Sequence, residues 1–153
     1  MDKIDARILS ELQSDGRITW SKLAERIFLS ASACQRRVES LVAQGVIRNF
    51  TVNLDEAALG HNVTAFVAVS VDRQNTASAE EFRRWVRGHP RVQACHTLTG
   101  TVDFMLQVVA ADLGSLGSFL EAELLNLPAV KDVSTSIVLN EVKARHTMVA
   151  DGW

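Results

Sequence analysis

The chain has 153 residues, 47% apolar and 22% charged, with 16 basic against 18 acidic side chains and a formal net charge of -2. That length holds one or two small domains, and the apolar share suffices to bury a core, which excludes wholesale disorder. No apolar run approaches the roughly 18 residues of a membrane span, the start lacks a signal-peptide layout, and Cys34 and Cys95 form no CxxC or His-cluster pattern. A cytoplasmic protein without disulfide, metal or cofactor is expected, both cysteines serving as small core residues.

In chain order, Ile4, Ile8 and Leu12 form one helical stripe stopped by Asp15-Gly16, a first helix of about three turns. Thr19 can cap a short second helix whose inward stripe is Leu23, Ala24 and Ile27, and Phe28-Leu29 make an apolar turn before the next cap, Ser30. The third helix runs from about Ala31 to Gln44 and stops at Gly45; Cys34, Val38 and Leu41 share one face, with Ser32, Gln35, Arg36 and Glu39 opposite. Val46 to Val52 reads as a strand. Three helices and a β-segment are the order of a winged-type helix-turn-helix, in which the third helix enters the major groove of DNA.

From Val63 the pattern becomes β, α, β, β, α, β. Val63, Ala65, Val67, Val69 and Val71 alternate as a strand, and Phe82, Trp85 and Val86 mark a helix ending before Gly88-His89-Pro90. Val92, Ala94, His96 and Leu98 alternate up to Gly100, and Phe104, Leu106 and Val108 resume after Asp103 as a hairpin. Leu113, Leu116, Leu120, Leu124 and Leu127 mark a second helix closed by Pro128, and Val133, Thr135, Ile137 and Leu139 the last strand. This is the ferredoxin-like split βαβ, an antiparallel sheet with both helices on one face. The expected division is 1–50 for DNA binding, 51–62 as a β-strand and hinge linker, and 63–153 for sensing and assembly. Charge divides mildly with it: residues 1–54 carry eight bases against six acids, the remainder eight against twelve.

The motifs Asp5-x-x-Ile8-Leu9, Asp15-Gly16-Arg17, Leu23-Ala24, Leu29-Ser30-x-Ser32-x-Cys34-x-x-Arg37-Val38, Leu41-x-x-x-Gly45-Val46-Ile47, Leu59-Gly60 and Gly100-x-x-Asp103 resemble the Lrp/AsnC (leucine-responsive) family of transcription regulators from Asp2 to about Val142. The resemblance implies an N-terminal domain that binds double-stranded DNA, a C-terminal domain that senses a small molecule, an amino acid or related metabolite, and homodimers assembling into octamers or other higher oligomers. One departure stands out: the family often has Pro early in the third helix, where this chain has Ala31 and Ala33. A rival class also has this architecture, the sirohaem decarboxylases, which use basic and histidine residues around a tetrapyrrole; His61, His89, His96 and His146 are the candidates here, each more simply read as a surface or packed residue.

Three sets of residues follow. Ser32, Gln35 and Arg36 face away from the packed stripe, where Gln reads adenine and Arg reads guanine. Arg17, Thr19, Ser21, Lys22, Arg48 and the capping Ser30 are candidate backbone contacts, and Arg37 either joins them or holds the first helix through a carboxylate such as Asp5. Glu39 either limits phosphate binding or accepts from a cytosine. For assembly, Phe66, Ala68, Cys95, Met105 and Val109 give the open sheet face an apolar character that suits pairing with a second copy. For the effector, Gly100 frees the loop Thr99-Gly100-Thr101-Val102-Asp103 to present backbone amides and the Thr99 or Thr101 hydroxyl to a carboxylate, with Asp103 as partner of an α-ammonium group. The resemblance places this loop at a subunit interface. The plainer alternative is a tight hairpin in which Gly100 makes the turn and Asp103 caps its own backbone.

Overall fold

The computed structural model describes residues 1–72 and 76–143; His146 lies outside them. Met1–Asn53 makes the body of one compact unit and Leu54–Glu141 a second, and their buried clusters share no residue.

The first unit holds α1 (Lys3–Ser14), α2 (Trp20–Ile27) and α3 (Ala31–Ala43). Each helix begins on a side-chain oxygen that takes up an amide its first turn would leave unpaired. Asp2 and Asp5 form a reciprocal capping box on α1, Thr19 accepts from the Lys22 amide, and Ser30 accepts from the Ala33 amide. Ile8, Leu23, Ala24, Ile27, Cys34, Val38 and Leu41 close the core between the three helices, as the stripes require. Phe28 ends α2 in the left-handed region, φ 63°, a conformation that crowds Cβ in any residue but glycine; its ring is 84% exposed, with the Arg7 guanidinium 5.8 Å from its centroid.

The strand expected over 46–52 is not formed. The Val46 and Ile47 amides both donate to the Leu41 carbonyl, closing the end of α3 after Gly45 at φ 71°, and the following backbone has no neighbouring strand to pair with among the described residues. A lone β-segment gains no ladder hydrogen bonds, so extended propensity alone leaves it irregular. Among the described residues the unit is a helix-turn-helix without a wing, and the linker 51–62 holds turns in place of a strand.

The second unit holds β1 (Val63–Val71), α4 (Thr76–Gly88), β2 (Val92–Thr97), β3 (Phe104–Ala110), α5 (Leu113–Ser118) and β4 (Val130–Ile137). The strands order as β2-β3-β1-β4, every pair antiparallel, the ferredoxin-like arrangement. Register sets Ala65, Val67 and Val69 against Val108, Leu106 and Phe104, and this face joins Phe82 and Val86 of α4 with Leu116, Phe119 and Leu124 in one buried cluster.

Two local features depart from the expected periodicity. On β2, Val92 pairs with Val108 but Ala94 pairs with Gln107, so two residues on β2 oppose one on β3. This bulge reverses every later side chain. Cys95 and Thr97 therefore lie on the helix side with Leu106 and Phe104, while Ala94 and His96 turn to the open face, the reverse of the expected pattern. Cys95, on the edge strand, is exposed and not a core residue. The second departure is α5, which runs directly into a π-helical turn, Phe119–Leu124, with the Leu125 amide donating to the Leu120 carbonyl. The wider turn brings Phe119 into the core beside Leu116 and Leu124, whereas Leu113, counted as inward, is 61% exposed.

Candidate DNA-reading helix and effector cleft

Ser32, Gln35, Arg36 and Glu39 are all exposed on α3, opposite the buried Cys34, Val38 and Leu41. These four side chains therefore share one exposed polar face of a helix whose N-terminus is capped by Ser30. Ser30 and Ser32 hydroxyls are 3.2 Å apart, and Gln35 Nε2 donates to Glu39 Oε1 at 2.9 Å. Burial pushes the Cys34 thiol up and keeps it a packing group.

Of the two roles left open for Arg37, the structure contains the link to the first helix. Its Nη1 donates to Asp5 Oδ1 at 2.7 Å and to Asp2 Oδ2 at 2.8 Å, tying the middle of α3 to the capping box of α1. The Asp5 hydrogen bond, then that from Asp2, raises the Arg37 pKa, while the Asp5 backbone amide and Arg37 lower that of Asp2. Arg37 is thus a positioning residue. Nearby, Arg26 pairs with Glu11 at 2.6 Å and Arg7 donates to the Arg26 carbonyl at 2.8 Å, bracing α1 against α2. Thr19 and Ser30 serve as caps, so any phosphate contact they make adds to that role. Arg17, Ser21 and Lys22 are exposed around the start of α2, and Arg48 on the segment after α3.

In the second unit Gly100 adopts φ 120°, which other residues resist, yet a Cβ there would meet nothing within 4 Å. Its requirement is conformational, not close packing. Asp103 Oδ2 accepts from the Val71 amide at 2.9 Å, and its own amide donates to the Val69 carbonyl at 3.0 Å. Its carboxylate thus pins the start of β3 to the end of β1, in place of the cap on its own loop backbone that the plainer reading expected.

Beside this loop lies a cleft of about 300 Å³ lined by Val71, Ala79, Glu80, Arg83, Thr97, Asp103 and Phe104. The periodicity of the sequence did not single out Glu80 and Arg83, which only the fold brings beside Asp103. They form an ion pair on α4, and the Arg83 guanidinium lies 5.6 Å from the centroid of the buried Phe104 ring. Of the described histidines, His89 packs between Trp85 and Phe119 and contacts Glu123 at 2.8 Å, while His96 points to the opposite sheet face. His89 and His96 therefore lie on opposite sides of the sheet, and His61 is exposed in the linker.

Residues 1–42 match the AsnC-type helix-turn-helix domain, and residues 64–148 match the Lrp/AsnC ligand binding domain. The chain belongs to the Lrp/AsnC family. It is 39% identical over 143 residues to the transcriptional regulator AzlB of Bacillus subtilis, covering 94% of this chain and 91% of that protein. It is 40% identical over 143 residues to the leucine-responsive regulatory protein of Rhizobium meliloti, covering 94% and 92%. Transcriptional regulator NMB0573 of Neisseria meningitidis, solved in complex with L-Met, superposes with a TM-score of 0.91 at 35% identity, covering 94% of this chain and 93% of that one. These relatives are transcriptional regulators. This Lrp/AsnC chain accordingly combines a helix-turn-helix with a ligand-binding domain, and among its described residues no helix is long and apolar enough to cross a membrane.

Proposed function

We propose that the protein is a sequence-specific DNA-binding regulator that works as a homodimer or larger homo-oligomer, and that a free amino acid alters its DNA binding or assembly. The observation that carries the DNA side is the α3 surface, where Ser32, Gln35 and Arg36 stand exposed behind a capped N-terminus and opposite the core stripe. The N-terminal turns of such a helix reach base edges in the major groove. Arg17, Ser21, Lys22 and Arg48 supply the phosphate contacts that set register without reading sequence.

Assembly follows from the open sheet face. After the bulge is taken into account it carries Phe66, Ala68, Ala94, His96 and Met105 across β1, β2 and β3, with Phe66 43% exposed. Val109 is on this face but already buried, at the end where the Thr64 hydroxyl donates to Glu56 at 3.0 Å. The remaining apolar centre is self-complementary in a two-fold pairing. An amino acid as effector is supported by the relative solved in complex with L-Met, and the loop Thr99 to Asp103, where Gly100 holds φ 120°, is its candidate site. A ligand that binds one arrangement of subunits better than another shifts the population by that difference.

The test is selection of DNA fragments on the purified protein with and without pools of free L-amino acids. A pseudo-palindrome with half-sites separated by about one helical turn, roughly 10 base pairs, or a multiple of it is expected, with recovery altered by at least one pool. Equal recovery of all sequences under every pool refutes the proposal.

A further inference from the structure

The stripe of α2 runs Trp20, Leu23, Ala24 and Ile27 at helical spacing, and the last three are buried. Trp20 is not. It is 41% exposed, and it belongs neither to the buried cluster of the first unit nor to the partly buried side chains packed on that cluster. Among the described residues no ring or guanidinium contacts the indole. Phe28, at the other end of the helix, differs, because the Arg7 guanidinium stands over its ring and is itself fixed to the Arg26 carbonyl. The surroundings of Trp20 are cationic and polar: Arg17 precedes it, Ser21 and Lys22 follow, and all three are exposed. Neither Arg17 nor Lys22 has an ion-pair partner among the described residues. An uncovered indole between two unpaired cations fits a surface that alternates apolar groups with anions, as the deoxyribose and phosphate of a DNA strand do. In a helix-turn-helix, the helix before the reading helix crosses that backbone.

We propose that Trp20 is a DNA-backbone contact, its indole face packed on a deoxyribose and its Nε1–H donated to an adjoining phosphate oxygen of the strand that Arg17 and Lys22 hold. This deepens the DNA-binding reading above and rests on it. The indole nitrogen is a donor only, so an acceptor-rich phosphate suits it. A tryptophan also brings a large, rigid surface with only two rotatable side-chain bonds, so holding it against the strand costs little conformational entropy. A contact of this kind carries no base information. It adds affinity for every duplex and leaves the choice among sequences to Gln35 and Arg36 on α3.

The test is fluorescence anisotropy of the full chain on the selected operator and on an unrelated duplex at one fixed salt concentration, with light scattering for the assembled mass and a thermal melt for the fold. Trp20→Ala leaves the Thr19 cap and the buried stripe in place, and it should weaken binding to both duplexes by similar factors, about tenfold. Trp20→Phe keeps an apolar ring but loses the donor, so its affinities should fall between. The indole emission of the unaltered protein should change when operator is added, and Trp20→Phe should lose that change, because Trp85 belongs to the second unit. The emission arm decides the matter even if Trp20→Ala melts early. Four results overturn the Trp20 assignment alone: unchanged affinity for both duplexes in Trp20→Ala, a loss confined to the operator, which would make Trp20 a base reader, a smaller assembled mass, which would make it a subunit contact, or an emission change that persists in Trp20→Phe. Failure of the unaltered protein to bind either duplex overturns the DNA-binding reading and this proposal with it.

Discussion

Gln35→Ala isolates sequence reading from fold. Gln35 is exposed on α3 and its amide donates to Glu39 at 2.9 Å, so truncation leaves the Cys34, Val38 and Leu41 stripe untouched. A bidentate Gln–adenine contact discriminates by about 1–3 kcal/mol, and releasing the pair with Glu39 takes back about 0.2–0.5 kcal/mol, the worth of such a helix-surface pair. The balance is roughly 0.5–2.8 kcal/mol for each half-site, or about 2- to 100-fold at 1.4 kcal/mol per tenfold. A dimer reading two half-sites doubles the free energy, giving about 5-fold to about ten thousandfold loss on the selected operator. Fluorescence anisotropy at one fixed salt concentration, on the operator and on an unrelated duplex, measures it, and a thermal melt checks the fold. Operator affinity should fall while non-specific affinity stays constant. If the ratio of the two affinities is unchanged, Gln35 is a solvated surface residue and the reading face has been misassigned.

Three further outcomes follow from the geometry. Phe66→Asp places a charge at the centre of the open sheet face and should convert the assembled protein to a smaller species in light scattering at micromolar concentration; unchanged mass would show that assembly uses another surface. Arg37→Ala should lower the melting temperature of the first unit, and should cost less in an Asp5→Asn background, where part of the brace is already lost and the Asp2 contact remains; additive losses would argue for separate roles. The N-cap carboxylates of α1 and α5 have depressed pKa values, Asp2 through the Asp5 amide and Asp112 through the Ser115 amide. A depressed carboxylate stabilises the folded state fully above the ordinary value of about 4 and loses that contribution as pH falls through its lower folded value. Asp112→Asn, which keeps a capping oxygen, should reduce the fall in melting temperature of the second unit between pH 5 and pH 2, and an identical acid profile would count against the cap.

What the sequence made legible was whatever a local rule decides alone. The three N-terminal helices, their caps at Thr19 and Ser30 and the buried positions of α3 follow from period and cap chemistry acting over a few residues. The strand over 46–52 could not be excluded in that way, since its apolar residues satisfy β-propensity and only the lack of a pairing partner decides against it. Arg37 is similar. Its position at the edge of the packed stripe left two partners open, and the choice rests on Asp2 and Asp5, which are more than thirty residues away in the chain.

The bulge at Gln93 shows how far one local irregularity reaches. No Gly or Pro marks it, and Val92-Gln93-Ala94-Cys95-His96-Thr97 alternates well enough to pass for a regular strand. Because side chains change face at every residue, one extra residue moves His96 onto the surface proposed for subunit pairing and Thr97 onto the helix side, where it lines the cleft. The same step decides both surfaces. A regular strand would have left Thr97 on the open face, outside the cleft, and would have given the pairing surface Cys95 in place of His96. One edge strand thus contributes Thr97 to the cleft on the helix side and Ala94 and His96 to the open face, so a change in its register or twist alters both surfaces at once.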